Sequence, residues 1–217
     1  MFPFLVHTLP TMKLYTSPRA PNPRRVMMFM AEKGITDIAL VTVDINAQAH
    51  KAEDFRAINP LTTVPVLELD DGRMLSESRA ICTWLEGRFP DSNLMGADAD
   101  ERAFIEMADR RAEWYLLMPI AQVIRHTHPG LAPLEQPQFP DYGQAQTAKV
   151  RDYAARFDNL LQRQDWMAGE RFTIADITAF CALEFARLMK FSPKAEGLLA
   201  LQAWRDRVAA RPSASAM

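Results

Sequence analysis

Residues 59–78 read NPLTTVPVLELDDGRMLSES. Pro65 heads an apolar run, where a residue without an N–H is tolerated only at the start or edge of a strand. A Val-Pro pair entering a strand from a turn invites a cis bond. A cis Val64-Pro65 leaves the N–H and C=O of Val64 facing outward, ready to pair with an extended peptide as a further strand would. The alternation of apolar residues around Asp71-Gly72 predicts a hairpin. Glu77-Ser78 then opens a helix whose Ala80, Ile81, Trp84 and Leu85 share one face. The first N–H groups of such a helix are unpaired and favour a carboxylate; Ser78 adds a hydroxyl donor, and Glu77 supplies a negative charge suited to an ammonium group. An α-amino acid head carries both charges. The plainer alternatives are an edge-strand proline and an ordinary helix start.

Working back towards the N-terminus, KLYT is a short strand and residues 22–34 fit a helix. Asn22 is expected at its N-cap, Pro23 at its first helical position, and Gly34 as its stop. The junction TSPRAPNPRRV (16–26) holds Pro18, Pro21 and Pro23 around that asparagine. Residues 38–45 read as a second strand and HKAEDFRAIN as a short helix. Strand, helix, strand, helix, hairpin, helix is the order of an α/β domain, expected over residues 12–90. Residues 1–11 are apolar but lack a basic segment and contain two prolines. They are expected to be a tail rather than a signal peptide.

Working forward, PDSNLMGAD carries turn residues without periodicity, and the domain boundary is expected near 90–98. From 98 to 217 no convincing strand pattern occurs. Residues 98–127 form a long helical pattern. Val150, Tyr153, Ala154, Phe157, Leu160 and Leu161 fall at helical spacing, after a proline-rich loop running to Gly143. Residues 173–189 are apolar nearly all round, as a central buried helix would be, and Thr173 with Asp176 forms an acidic capping box at its start. A last helix follows. The second domain is therefore expected to be all-helical.

Composition excludes several classes. The chain has 217 residues and a net charge of −2, which gives no reason to expect nucleic acid or an acidic membrane as partner. No apolar run approaches the roughly 18 residues of a membrane span. Cys82 and Cys181 lie far apart in apolar helical patterns, and the four histidines do not cluster. No metal site is expected, and a cytoplasmic location is.

The run VPVLELDDGRMLSESRAI (64–81), HKAEDFRAINP (50–60) and FTIADITAF (172–180) together resemble the cytosolic glutathione transferases, from about Met12 to Arg211. The resemblance implies a thioredoxin-like N-terminal domain, an all-helical C-terminal domain and a homodimer. It also implies glutathione as co-substrate with no further cofactor, and a small hydrophobic electrophile as the second substrate. Matched residue by residue, Val64, Pro65, Glu77 and Ser78 would hold glutathione, joined by Lys51, Thr63 and His50. The family's electrophile pocket lies between its domains, and Arg111, Trp114, Tyr115 and Met118 are candidates for it. An aromatic stripe on a helix also reads as core. Thr173 and Asp176 match a motif of folding, not of catalysis.

In that family the turn between the first strand and helix carries the group that activates the thiol. Many members have serine where this chain has Ala20, and others cysteine. Alanine donates nothing and forms no mixed disulfide. Some bacterial members have a Pro-Asn pair after that position, which Asn22 matches; Ser17 is the rival donor. Two alternatives stand beside a transferase: a glutathione-dependent peroxidase or disulfide reductase, and a non-enzymatic binding or regulatory relative.

Overall fold

The structure, a computed structural model, describes residues 12–216. The tail expected at 1–11 lies outside the described residues. The chain forms two compact units, one running to Pro90 and the other from Asp91 to Ala216.

In the first unit, β1 (Lys13–Thr16), β2 (Ala39–Thr42), β3 (Val66–Glu68) and β4 (Met74–Ser76) form one sheet in the order β2-β1-β3-β4. β1 and β2 are parallel; the other pairs are antiparallel. Alternation along β1 separates the two faces. Leu14 and Thr16 are buried on one face, where the Thr16 hydroxyl meets Met27 Sδ of α1 (Pro21–Glu32) at 3.4 Å. Tyr15 points to the other face. It packs edge-on against Phe55 of α2 (Glu53–Ile58), with Val43, Val66, Ile58 and Val64 around the pair. α3 (Ser78–Arg88) packs beside α1, and Lys33 reaches Glu86 at 2.8 Å to tie the two. The predicted hairpin is β3–β4, closed by Leu69 and Arg73, with Gly72 at φ +82°, a backbone setting that suits a residue without Cβ.

One local expectation is corrected. α1 begins two residues early: Ala20, in extended conformation, is the N-cap, Pro21 is the first helical residue and Asn22 the second. Proline is at home at a first helical position because its missing N–H has no intrahelical acceptor to lose. Asn22 is therefore inside the helix, where its side chain caps nothing.

The second unit is helical, apart from a single bridge between Trp166 and Gly169. α4 (Ala99–Ala112), a π-turn (Glu113–Leu117) and α5 (Met118–Thr127) form one continuous run. At its start the Asp98 side chain accepts from Glu101 N–H, and Glu101 accepts from Ala97 N–H. α6 (Pro140–Leu161) begins ten residues before the periodic stretch that predicted it, with proline again first. Gly143, expected to end the loop, lies within α6 where it crosses α5. A Cβ there would stand 2.7 Å from Thr127 Cγ2. α7 (Ile174–Ala186) is buried along nearly its whole length, and α8 (Leu199–Ala209) closes the unit. Cys82 and Cys181 are both buried, and neither forms a disulfide with a described residue. Among the described residues no helix is long and apolar enough to cross a membrane.

Asp176 is the polar centre of this unit. Its carboxylate accepts from Thr173 N–H (2.9 Å), the Thr173 hydroxyl (3.2 Å), Met167 N–H (2.9 Å) and Trp204 Nε1 (2.9 Å). It thus joins the start of α7 to the preceding loop and to α8. Burial pushes its carboxyl up to about 6, against the pull of those donors. An amide cannot accept on both arms. Asp176→Asn leaves buried donors unmet, each worth about 1–3 kcal/mol. We expect a loss of about 3 kcal/mol in urea unfolding; a loss below about 1 kcal/mol would mean that the donors find other partners.

Candidate functional site

Strand direction assembles the site. β1 and β2 end together, with Thr16 opposite Thr42. β3 starts where β1 ends, with Val66 opposite Tyr15, and β4 ends where β3 starts, with Ser76 opposite Val66. One end of the sheet therefore collects four segments. They are the turn 17–22 after β1, the loop 43–51 after β2, Val64-Pro65 before β3, and Glu77-Ser78 after β4. Every residue matched to glutathione binding lies on one of them or on the adjoining Thr63.

The turn after β1 carries few backbone donors. Ala20 N–H donates to Ser17 O at 2.9 Å and Arg24 N–H to Ala20 O at 3.1 Å. Pro21 and Pro23 have no N–H. Among the described residues this leaves the Asn22 N–H as the one backbone donor of the first helical turn without an acceptor. The Asn22 side chain is exposed and makes no hydrogen bond with described residues. Ser17 is buried, and its hydroxyl likewise has no such bond.

The Val64-Pro65 bond is cis, and the backbone N–H and C=O of Val64 pair with no described residue. The approach to it is held by Asn59, which is buried. Asn59 Nδ2 donates to Thr63 O at 2.9 Å and to Thr63 Oγ1 at 3.0 Å, while its Oδ1 accepts from Leu61 N–H at 3.1 Å. Since the Thr63 hydroxyl accepts, its own proton remains available to donate.

Ser78 is the first residue of α3 and is buried; its hydroxyl accepts from Arg25 of α1 at 3.1 Å. It too keeps a proton to donate. Glu77 is exposed, precedes the helix at φ 69° and ψ 113°, and makes no ion pair with described residues. Lys51 has no ion pair either. His50 is buried, with Nδ1 unpartnered among the described residues, and burial followed by the Lys51 charge holds its pKa below the ordinary value.

In the helical unit, Arg111 and Tyr115 line a cavity together with residues of α6. Trp114 and Met118 are exposed and are not part of its lining. Among the described residues no group of acidic, histidine or cysteine side chains has the arrangement of a metal site.

A thioredoxin-like sheet with a cis proline just before its third strand, followed by an all-helical unit, defines the architecture of the glutathione transferases. The sequence pattern of the family "Glutathione S-transferase, N-terminal domain" matches residues 20–88, and that of "Glutathione S-transferase, C-terminal domain" matches residues 117–212. The chain belongs to the glutathione S-transferase family. It is 36% identical over 204 residues to glutathione S-transferase 2 of Saccharomyces cerevisiae, covering 93% of this chain and 87% of that one. It is 31% identical to GstA of Escherichia coli O157:H7, covering 81% and 83%. The crystal structure of a glutathione S-transferase domain-containing protein from Marinobacter aquaeolei superposes with a TM-score of 0.87 at 44% identity, over 93% of this chain and 98% of that one.

Two positioning residues escape sequence reasoning. Asn59 sits in an N-P pair that reads as a turn, and nothing local announces that its amide clamps the loop before Pro65. Arg25 lies in an amphipathic helix among apolar residues; an arginine at a core-facing position of α1 was the available signal. The Glu77 backbone has a physical cost as well. A non-glycine residue held at such φ and ψ is strained by about 1–3 kcal/mol. Part of the relief in Glu77→Gly is offset by the greater freedom of glycine in the unfolded chain. We expect Glu77→Gly to be more stable by about 1 kcal/mol in chemical unfolding. A less stable variant would mean that the Glu77 side chain supports the fold.

Proposed function

We propose that this glutathione transferase binds the tripeptide across the end of its sheet and presents the thiol to the first turn of α1. The backbone of Val64 pairs with the cysteinyl segment as a further strand would. The γ-glutamyl head takes Glu77 for its ammonium group, and the Ser78 hydroxyl with the start of α3 for its carboxylate. Lys51 offers its charge to the other carboxylate, with His50 and Thr63 as neutral hydrogen-bonding partners. Asn22 is the group that activates sulfur.

One observation carries the activation. Pro21 and Pro23 remove the neighbouring donors, so the positive end of α1 is expressed at Asn22, through its backbone N–H and its unengaged side-chain amide. A free thiol has a pKa of about 8.5 and is mostly protonated at neutral pH. Donors aimed at sulfur favour the anion. The thiol proton passes to solvent, the sulfur lone pair attacks the electrophilic carbon, and the leaving group departs with its bonding pair. The product is a thioether of glutathione. Ala20 leaves no side-chain nucleophile or redox thiol at the usual position, so the chemistry belongs to the bound glutathione. The Pro-Asn pair with Ala20 aligns this chain with the bacterial type. The electrophile is small and hydrophobic and is received by the helical unit, where Trp114 and Met118 expose apolar surface.

The test is the thiolate absorbance of bound glutathione against pH. Asn22→Ala should raise the midpoint by about one unit, a difference of about 1.4 kcal/mol. Affinity measured at low pH should stay the same, because the protonated thiol needs no donor. As Asn22 caps nothing, its stability should change by less than about 0.5 kcal/mol. Asn22→Pro, which also removes the N–H, should raise the midpoint further. An unchanged titration in both variants, with a shift in Ser17→Ala, would transfer the role to Ser17.

We further propose a homodimer, as the family resemblance implies. Sedimentation should give twice the 24.6 kDa chain mass at micromolar concentration; a single-chain species there would refute it.

A further inference from the structure

The segment between α5 and α6, residues 128–139, is tied down by two imidazole nitrogens. His126, near the end of α5, is buried, and its Nδ1 accepts from Phe139 N–H at 3.2 Å. His128 Nδ1 accepts from Gly130 N–H at 3.1 Å. A ring nitrogen that accepts carries no proton, so both imidazoles are neutral with their proton on Nε2. Protonation turns each acceptor into a donor facing an N–H. The remaining ties need no imidazole. Gln138 Nε2 donates to Arg125 O at 2.6 Å and to His128 O at 3.1 Å, and Arg125 pairs with Glu135 at 2.7 Å.

The surroundings offer an imidazolium at position 126 no counter-charge. Neither histidine makes an ion pair with a described residue. On the α6 side, the Phe139 and Tyr142 rings lie 6.0 and 5.2 Å from that of His126, and Asp141 is exposed. Arg125 of α5 and Glu135 of the segment satisfy each other. α7 and the turn after it bring Asp176, Glu184 and Arg187. Asp176 is enclosed by its own donors, and Glu184 pairs with Arg187 and Arg205. His126 also stands at the start of α6, a helix of 22 residues, whose positive end disfavours a cation.

We propose that residues 128–139 form a proton-operated strap: protonation of His126 and His128 releases the start of α6 from α5, while the rest of the helical unit stays folded. The opening is bounded on both sides. Towards the loop, the Arg125–Glu135 pair keeps hold of the chain. Towards the helix, α6 crosses α5 at Gly143, where a Cβ would stand 2.7 Å from Thr127 Cγ2, and this close contact pins α6 from that residue onward. The part set free is the first turn of α6, with Phe139 and Tyr142.

The test is an NMR titration of the unliganded protein from about pH 8 to about pH 5, the range in which imidazoles change charge. Phenylalanine, glycine and histidine are labelled. On the acid side the Phe139 amide should exchange about tenfold faster, after correction for the chemical step, as the loss of one hydrogen bond allows. Its midpoint should coincide with that of the His126 ring, and the Gly130 midpoint with that of the His128 ring. Asp176, with its carboxyl at about 6, titrates in the same range and is read separately at the Thr173 and Met167 amides.

His126→Asn keeps an acceptor near the Nδ1 position and binds no proton. It should abolish the Phe139 transition and leave that of Gly130 in place. The coincidence of midpoints is measured on the unaltered protein, which keeps the test independent of how the variant folds. Three results would each overturn the proposal: a Phe139 amide that stays put while His126 protonates, a transition that persists in His126→Asn, or a His126 ring that takes no proton down to about pH 5. Amides throughout α6 moving together with Phe139 would overturn it too, because the strap would then not open on its own.

Discussion

The antiparallel pairing of β1 with β3 is the constraint on which the arrangement of the candidate site depends. Its register sets Tyr15 opposite Val66. Side chains alternate along each strand, so a slip of one residue would turn Leu14, Tyr15, Val66 and Leu67 to the wrong faces. The apolar burial on both faces therefore fixes the register. The register in turn puts the end of the first strand beside the residues that precede the third. The turn after β1 and the backbone of Val64 are far apart in sequence, and a short ladder between β1 and β3 brings them to one end of the sheet.

Much of this was legible in the sequence because the decisive features are local. A proline at the head of an apolar run, a turn of Asp71-Gly72 and a polar pair opening a helix each declare themselves within a few residues. So does the capping box at Thr173 and Asp176, whose two partners are three positions apart. What stayed hidden depends on exact position or on distance. Asn22 looks like a cap because asparagine before proline is a common helix start, yet Pro21 is equally able to occupy the first helical position and does so. Asn59 and Arg25 act through Thr63 and Ser78, and a hydrogen bond between residues 25 and 78 leaves no periodic trace. The start of α6 was missed for a similar reason. The prolines and Gly143 read as loop, although one proline begins the helix and the glycine lets α5 approach it.

The two units distribute their polar anchors differently. In the helical unit, one fully buried carboxylate gathers donors from three segments, so a single side chain governs how a helix start, a loop and a final helix meet. In the sheet unit, the corresponding ties are spread over Asn59, Ser78 and Arg25, which border the candidate site. Ser78 accepts from Arg25 and Thr63 accepts from Asn59, so each of these two hydroxyls keeps a proton to donate. A fold anchor satisfies itself fully, whereas a binding edge must keep some of its hydrogen-bonding capacity open.

The alternation of Pro21, Asn22 and Pro23 has a spectroscopic consequence. An amide-detected NMR experiment sees the backbone proton of Asn22 with no amide neighbour on either side in sequence. The resonance is isolated, which makes it hard to assign by sequential connection and easy to assign by selective labelling of asparagine. Under the proposed activation it serves as a built-in reporter of the charge on the sulfur, read without any probe attached to the ligand.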